Sequence, residues 1–325
     1  MTEENESASG IERALRPDSA SVSYDLTAAL DSIVSVRTRI PEDAFTAQML
    51  GTERSGHGVR IDTTGLVLTI GYIIAEASDV WLIGANGHAV AGYVVGYDYE
   101  TGFGLVQPLE KLDLPNLELG DSDLISVGDD VIVAGCGGIA ESINAQIAAK
   151  REFAGYWEYV LDEAIFTAPP HPNWGGAALI TSDGKLGGIG SLYVENVSSE
   201  FEVGNMIVPI NILKPILKEM LAYGTTLKPA RPWLGFFVTE TTENLIVAGV
   251  LDGGPAEQAD VRAGDVVFGV DGERTRNLAE FFRQIWACGE AGSNIPLVIY
   301  RDGAAIDIDV PSVDRRAQFK APELH

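Results

Sequence analysis

Short segments rich in Val, Ile and Leu recur at close intervals between Gly56 and Val208. Gly residues and Asn-Gly or Asp-Gly pairs, which favour tight β turns, separate many of them. The candidate strands are Val59–Ile61, Leu66–Ile70, Val80–Ile83, Ala89–Gly96, Gly104–Gln107, Asp130–Ala134, Gly187–Ser191 and Met206–Ile210. Strands at this regular spacing form a barrel or a sandwich rather than βαβ units. The sequence therefore predicts a mainly β protein.

The hydrophobic pattern changes after these strands. Apolar residues recur at helical spacing over Asn211–Tyr223, and Gly224 follows as a stop signal. The proline-containing segment Lys228–Pro232 is typical of a stiff linker. We therefore predict a disordered acidic tail over residues 1–20, a first domain over 21–227, a second domain over 228–315 and a C-terminal tail over 316–325.

Charge and composition exclude several classes of partner. The formal net charge of −25 repels nucleic acids and anionic membranes, so neither is an expected partner. Cys136 and Cys288 form no CxxC pair, so we expect neither a disulfide framework nor a metal site, and no cofactor. Residues 1–20 lack the basic start and apolar stretch of a secretory signal, and we expect a cytoplasmic protein.

Three segments resemble the HtrA branch of the trypsin-like serine proteases. Leu-Val-Leu-Thr-Ile-Gly-Tyr72 is similar to the strand that ends in the catalytic His, and Tyr72 stands in the His position. Asp-Tyr-Glu-Thr-Gly102-Phe-Gly resembles the segment of the catalytic Asp, with Gly102 in its place. Pro172-Asn-Trp174-Gly-Gly matches the nucleophile segment, with Trp174 in place of Ser. The resemblance spans residues 30–313 and implies a two-barrel trypsin-like domain of the chymotrypsin fold.

These replacements bear directly on the chemistry that the resemblance implies. Acyl transfer by this family needs a nucleophile, a base, a carboxylate that orients the base, and an oxyanion hole. An indole cannot attack a carbonyl, a phenol with a pKa near ~10 is a poor base, and glycine orients nothing. Pro172 lacks the N–H that the oxyanion position supplies. We therefore expect a catalytically inactive pseudoprotease that binds polypeptides as a scaffold or adaptor, and not an enzyme.

The alternative is an active serine endopeptidase whose triad lies outside these motifs. Its base would have to be one of four histidines. We expect His57, His88 and His325 to lie at the surface, whereas His171 precedes Trp174 by three residues. No motif places a Ser or Cys beside His171.

A dinucleotide site is a further alternative. The segment Gly135-Cys-Gly-Gly-Ile-Ala140 follows a predicted strand and fits the GxGxxA fingerprint. The fingerprint requires strands that alternate with helices, whereas the segments on both sides of Gly135 are predicted strands. We therefore favour a strand-to-loop junction of the second barrel.

The C-terminal module resembles a PDZ domain of the HtrA type. Its motif Trp233-Leu234-Gly235-Phe236 is similar to the loop whose backbone amides bind a peptide carboxylate, and a helix over Asn277–Trp286 would form the other wall of the groove. The residues expected to bind peptide are Trp233, Leu234, Gly235, Phe236, Leu278 and Phe282. The resemblance implies partners that present a C-terminus or an unfolded polypeptide, and a homotrimer by analogy with the family.

Overall fold

The computed structural model describes residues 10–320 of the chain. Its first six strands are β1 (Ile33–Arg39), β2 (Glu53–Arg60), β3 (Val67–Ile70), β4 (Asp79–Ile83), β5 (Ala89–Tyr97) and β6 (Phe103–Pro108). They close into an antiparallel barrel in the order β1-β2-β3-β6-β5-β4. The short helices that accompany this barrel are α1 (Leu26–Asp31), α2 (Ala47–Leu50) and α3 (Gly71–Ile74). The Asp25 side chain caps α1 by accepting from the Ala28 amide.

A second barrel follows. Its strands are β7 (Asp130–Ala134), β8 (Ser142–Gly155), β9 (Tyr159–Ala168), β10 (Ala178–Ile180), β11 (Leu186–Glu195) and β12 (Val203–Pro209). They close in the order β7-β8-β9-β12-β11-β10, which repeats the strand order of the first barrel. The prediction of two barrels is confirmed, and strands hold 41% of the described residues. The segment after β7 is a 3₁₀ turn, Gly138–Glu141, that leads into β8, so it lacks the helix of a dinucleotide-binding unit.

The C-terminal end of the first domain differs from the sequence prediction. The pattern predicts one helix over Asn211–Tyr223, but the structure has a 3₁₀ turn at Ile210–Ile212 and then α4 (Leu217–Tyr223). Pro215 explains the interruption, because proline disfavours helical backbone at the residue before it. Gly224 ends α4 in the left-handed conformation, as expected.

The predicted N-terminal tail lies partly outside the described residues. Residues 1–9 are not described, but Ile11 is buried in the core of the second barrel with Val133 and Ile165. Packing therefore begins before the predicted boundary at residue 21. Of the predicted C-terminal tail, a 3₁₀ turn over Arg315–Gln318 is described and residues 321–325 are not.

The remaining elements form the second compact unit, which covers residues 152–162 and 227–320. Its elements after the linker are β13 (Pro232–Trp233), β14 (Phe236–Glu240), β15 (Leu245–Val250), α5 (Pro255–Gln258), β16 (Val266–Val270), β17 (Glu273–Arg274), α6 (Leu278–Ala287), β18 (Asn294–Arg301), β19 (Ala304–Pro311) and β20 (Val313–Asp314). The main sheet has the order β14-β15-β16-β18-β19, so β14 is an edge strand. Asn277 caps α6 by accepting from the Glu280 amide. Within residues 10–320, no helix is long and apolar enough to cross a bilayer.

Candidate functional site

The three segments that resemble a protease triad converge on one place in the first domain. Tyr72 lies on α3, and its hydroxyl donates to the carbonyl of Ser191 at 2.8 Å. The same hydroxyl lies against Gly175, next to Trp174, at 2.8 Å from where a Cβ on Gly175 would stand. The Gly71 amide donates to the carbonyl of Gly102 at 2.7 Å. Tyr72, Gly102 and the Trp174 loop are therefore neighbours, as the triad positions of a trypsin-like fold would be.

A buried arginine holds the helix that carries Tyr72. Arg54 is 8% exposed, and its Nη1 donates to the carbonyls of Tyr72 at 2.8 Å and Ala75 at 3.2 Å. Its Nε and Nη2 donate to the Gly51 carbonyl and the Thr46 hydroxyl. Burial lowers the pKa of Arg54, although its guanidinium remains charged at neutral pH. Arg54 therefore satisfies carbonyls at the end of α3 that no helical turn can satisfy.

Tyr72 is a hydrogen-bond donor in this environment. Burial raises the pKa of Tyr72 well above its usual value, so the phenol stays protonated at neutral pH. Its proton points to the Ser191 carbonyl. Tyr72 therefore ties α3 to β11 of the other barrel.

Gly102 closes a tight loop that Asp98 organises. The Asp98 carboxylate accepts from the amide and the hydroxyl of Thr101, at 2.9 and 2.7 Å, and its carbonyl accepts from the Gly102 amide at 2.8 Å. Gly102 has a φ of 84°, a backbone conformation that residues other than glycine adopt only with strain. The other oxygen of the Asp98 carboxylate accepts from the Thr226 hydroxyl at 3.4 Å, so the described hydrogen bonds of this carboxylate go to Thr101 and Thr226 and not to Tyr72.

Trp174 lies in the loop before β10. Its ring packs against that of Tyr193 on β11, with 5.7 Å between the centroids. Pro172 is exposed two residues earlier and offers no amide. The carbonyl of Gly175 accepts from the His57 amide at 2.8 Å, so this loop is hydrogen-bonded to β2 of the first barrel.

Two histidines lie together beside this loop. They are His57 and His171, and their ring centroids are 6.3 Å apart. His57 is half-buried rather than exposed as predicted, whereas His88 is exposed and His325 lies outside the described residues. His57 Nδ1 accepts from the Cys136 amide, and His171 Nδ1 accepts from the Asn173 amide, each at 3.1 Å.

Both imidazoles are neutral at neutral pH. Burial and the neighbouring His171 lower the pKa of His57 to about 4, and burial lowers the pKa of His171. His171 Nε2 faces the Glu141 carbonyl at 3.0 Å and donates to it. Backbone groups therefore hold the rings of this pair. Among residues 10–320, no group of three or more His, Cys, Asp and Glu side chains is placed to hold a metal ion.

The residues predicted to bind peptide are brought together in the second unit. Trp233 ends β13, Phe236 begins β14, and the intervening Leu234 and Gly235 form a loop. The loop carbonyls are satisfied, because the Ala256 amide donates to Leu234 and the Leu251 amide to Gly235, each at 2.9 Å. All six predicted residues are buried, including Leu278 and Phe282 on α6.

The sequence missed a further contributor to this unit. The turn between β8 and β9 falls within residues 152–162, which belong to the second unit, and Val160 joins the same apolar cluster as Leu234, Phe236 and Phe282. The Leu234 amide donates to the Glu158 carboxylate at 3.3 Å. The charged run Lys150–Glu152 obscures the strand pattern here, so no local signal points to this contact.

Comparison with known families agrees with this architecture. The family model described as a trypsin-like peptidase domain matches residues 56–189, and the PDZ domain model matches residues 232–311. The chain is 27% identical over 274 residues to the periplasmic serine endoprotease DegP of Salmonella typhimurium, covering 78% of this chain and 56% of DegP. It is 25% identical over 342 residues to the probable periplasmic serine protease do/HhoA-like of Haemophilus influenzae, and the match covers 95% of this chain and 71% of that protein.

Solved structures show the same fold. The HtrA-type protease AlgW with decapeptide has a TM-score of 0.52 at 19% identity, covering 92% of this chain and all of that chain. The serine endoprotease from Yersinia pestis has a TM-score of 0.52 at 21% identity, and the match covers 90% of this chain and 99% of that chain. The chain spans about half the length of curated relatives such as DegP and the DegP-like protein of Pseudomonas fulva.

Two predictions are corrected by these relatives. The prediction that the chain is not an enzyme is wrong, because the relatives are serine endoproteases and the similarity covers more than three quarters of the chain. The prediction rested on three side chains in one site and gave no weight to the rest of the chain. The prediction of a cytoplasmic location is also wrong, because these relatives are periplasmic.

Proposed function

Since the chain belongs to the HtrA-type family of trypsin-like serine proteases with a C-terminal PDZ domain, we propose that it binds polypeptides by their free C-terminus. The observation that carries the proposal is the hydrogen bond from the Leu234 amide to a carboxylate oxygen, that of Glu158. A loop whose amides already hold one carboxylate has the chemistry to hold the terminal carboxylate of a peptide.

The surroundings of this loop support the same mode of binding. Edge strand β14 begins at Phe236, directly after the loop, and can pair with an extended peptide. Helix α6 stands on the other side of the apolar cluster, with Leu278 and Phe282 buried in it. Peptide-bound AlgW structures are among the structural neighbours. We keep the homotrimer as a prediction, and we extend to this chain the periplasmic location of the relatives.

The test uses one peptide in two forms. We expect a fluorescent decapeptide that ends in Val with a free carboxylate to bind at least about tenfold more tightly than its C-terminal amide at pH 8, because hydrogen bonds to a charged group contribute about 1.5–3 kcal/mol. Fluorescence anisotropy measures both affinities. A peptide whose final Val is replaced by Asp controls for the apolar pocket and should bind weakly. Equal affinity for acid and amide would contradict this mode of binding.

Peptide hydrolysis is the second candidate function, favoured by relatives that are serine endoproteases. Its site would be the Trp174 loop, where Tyr72, Gly102 and Trp174 supply no serine, so the nucleophile has to be identified by experiment. We expect labelled unfolded casein to be cleaved, and a fluorophosphonate probe followed by mass spectrometry to locate the reacting residue.

A pair of variants links cleavage to this loop. Trp174→Arg should abolish hydrolysis, whereas Trp81→Arg, at an exposed position on β4, should leave it unchanged. If the wild-type protein leaves casein intact and the probe labels no residue, this candidate function is excluded.

A further inference from the structure

The hairpin tip, residues 152–162, consists of the end of β8, the turn and the start of β9. It contacts each wall of the groove that the proposed function requires. On the loop side, the Leu234 amide donates to Glu158. On the strand side, the Tyr156 ring packs edge-on against Phe237 of β14, with 5.9 Å between the centroids. On the helix side, Arg283 of α6 forms ion pairs with the hairpin at Glu152 and Asp162.

Arg283 and Arg315 hold the two ends of the hairpin tip. Arg283 forms an ion pair with Glu152 before the turn and another with Asp162 after it, so it links β8 to β9. Arg315 donates from Nη1 to the Trp157 carbonyl at 2.8 Å, next to Glu158. These contacts fix the turn over the loop and present the Glu158 carboxylate to the amides of Leu234 and Gly235.

The hairpin tip also supplies an apolar side chain. Val160 is 8% exposed and belongs to the cluster that contains Leu234, Phe236 and Phe282. A C-terminal peptide in such a groove would offer the same two features, a carboxylate for the loop amides and an apolar side chain for the pocket. The hairpin tip thus resembles a bound peptide end, built from Glu158 and Val160.

The backbone of Glu158 is strained to achieve this. Its φ of 63° lies in the left-handed region, which glycine adopts without steric strain. A residue with a Cβ adopts this conformation only with strain, and such strain persists where surrounding contacts determine it. The position of the turn that faces the loop therefore holds a carboxylate at a cost in local stability.

We propose that the hairpin tip is an internal ligand that closes the carboxylate-binding loop, and that a polypeptide C-terminus binds by displacing it. This inference rests on the proposed function, because it assigns a regulator to the same groove. The observed association constant for a peptide is then the intrinsic constant multiplied by the fraction of molecules in which the hairpin tip is released.

The closure depends on pH in a definite direction. Burial raises the pKa of Glu158 to about 7, against the opposing effects of the Arg315 charge and the Leu234 and Gly235 amides. A released Glu158 would titrate at its ordinary value near ~4.3. The docked form therefore binds more protons than the released form between these two values, so docking weakens as pH rises toward 7 and is constant above it. Arg283 stays charged throughout this range, because its hydrogen bonds to Glu152 and Asp162 raise its pKa.

The experiment measures binding of the free-acid decapeptide to the full chain at pH 5.5 and pH 8. For the wild-type protein, we expect about tenfold tighter binding at pH 8. Glu158→Gly removes the carboxylate and relieves the strained turn, so it should bind about tenfold or more tightly than wild type at pH 5.5 and show no dependence on pH. Glu158→Gln keeps a neutral acceptor and should stay closed at both pH values.

The outcomes separate this inference from the proposed function. If neither the wild-type protein nor Glu158→Gly binds the peptide at either pH, the proposed function fails. If all three proteins bind the acid more tightly than the amide, but with equal affinity and no pH dependence, the groove is real and the internal ligand is refuted. Circular dichroism spectra and unfolding midpoints verify that each variant folds.

Discussion

Gly176→Ala is expected to destabilise the first domain by about 2–5 kcal/mol, from overpacking and from left-handed backbone strain together. Gly176 has a φ of 78°, and a Cβ on it would stand 1.9 Å from the carbonyl oxygen of His57. The oxygen in this clash belongs to the backbone of β2, so no flexible side chain can move aside to make room for the Cβ. The Gly176 amide also donates to the Gly190 carbonyl at 2.8 Å, which restricts any shift of the loop.

Gly87→Ala is the matched control for this substitution. Gly87 has a φ of 80°, nearly the same as Gly176, but no atom lies within 4 Å of its added Cβ. It should cost only the strain of the left-handed conformation, about 1–2 kcal/mol. Urea denaturation followed by tryptophan fluorescence compares the two variants. Equal losses of stability would show that close approach at His57 does not constrain position 176.

Arg54→Met is expected to destabilise the first domain by about 3–5 kcal/mol, because it removes the donor from several buried acceptors at once. The carbonyls of Tyr72, Ala75 and Gly51 would lose their side-chain partner, and methionine fills the space of the aliphatic stem without supplying an N–H. Amide hydrogen exchange over residues 71–75 should accelerate, because Arg54 anchors the end of α3.

The control is Arg37→Met on the neighbouring strand. Arg37 is exposed on β1, and substitutions at exposed positions away from special features usually change stability by less than about 0.5 kcal/mol. Urea denaturation of both variants provides the comparison. A small loss for Arg54→Met would mean that water replaces the guanidinium and that α3 does not depend on it.

Local patterns predicted the strands well where one short period governs the segment. The predicted strand over Asp130–Ala134 coincides with β7, and Ala89–Gly96 falls one residue short of β5. The pattern failed at β8 and β9, because β8 carries consecutive charged residues near its end and its tip packs outside the barrel. It also misplaced His57, which looks like a polar surface residue until β2 meets the Trp174 loop.

The candidate sites show a similar division. The motifs placed Tyr72, Gly102 and Trp174 at the family's His, Asp and Ser positions, and the fold makes the three neighbours. That inference used short matches and did not need any distance. Whether these residues decide the activity was a different question, and relatives that match more than three quarters of the chain contradicted the answer that the three side chains suggested.

The amino-acid sequence by itself predicted a mainly β chain that forms a barrel or a sandwich, because turn residues and short apolar runs act over a few neighbouring positions. Its short motifs, through the family that they resemble, added the two barrels, the PDZ-like module and the loop at Trp233–Phe236. The tertiary structure alone decided what fills that loop. Glu158 lies 76 residues before Leu234, and no sequence pattern in either segment predicts that the two are in contact. The contact arises because a long hairpin brings a carboxylate to amides with no other acceptor in the described contacts, and burial then sets its charge.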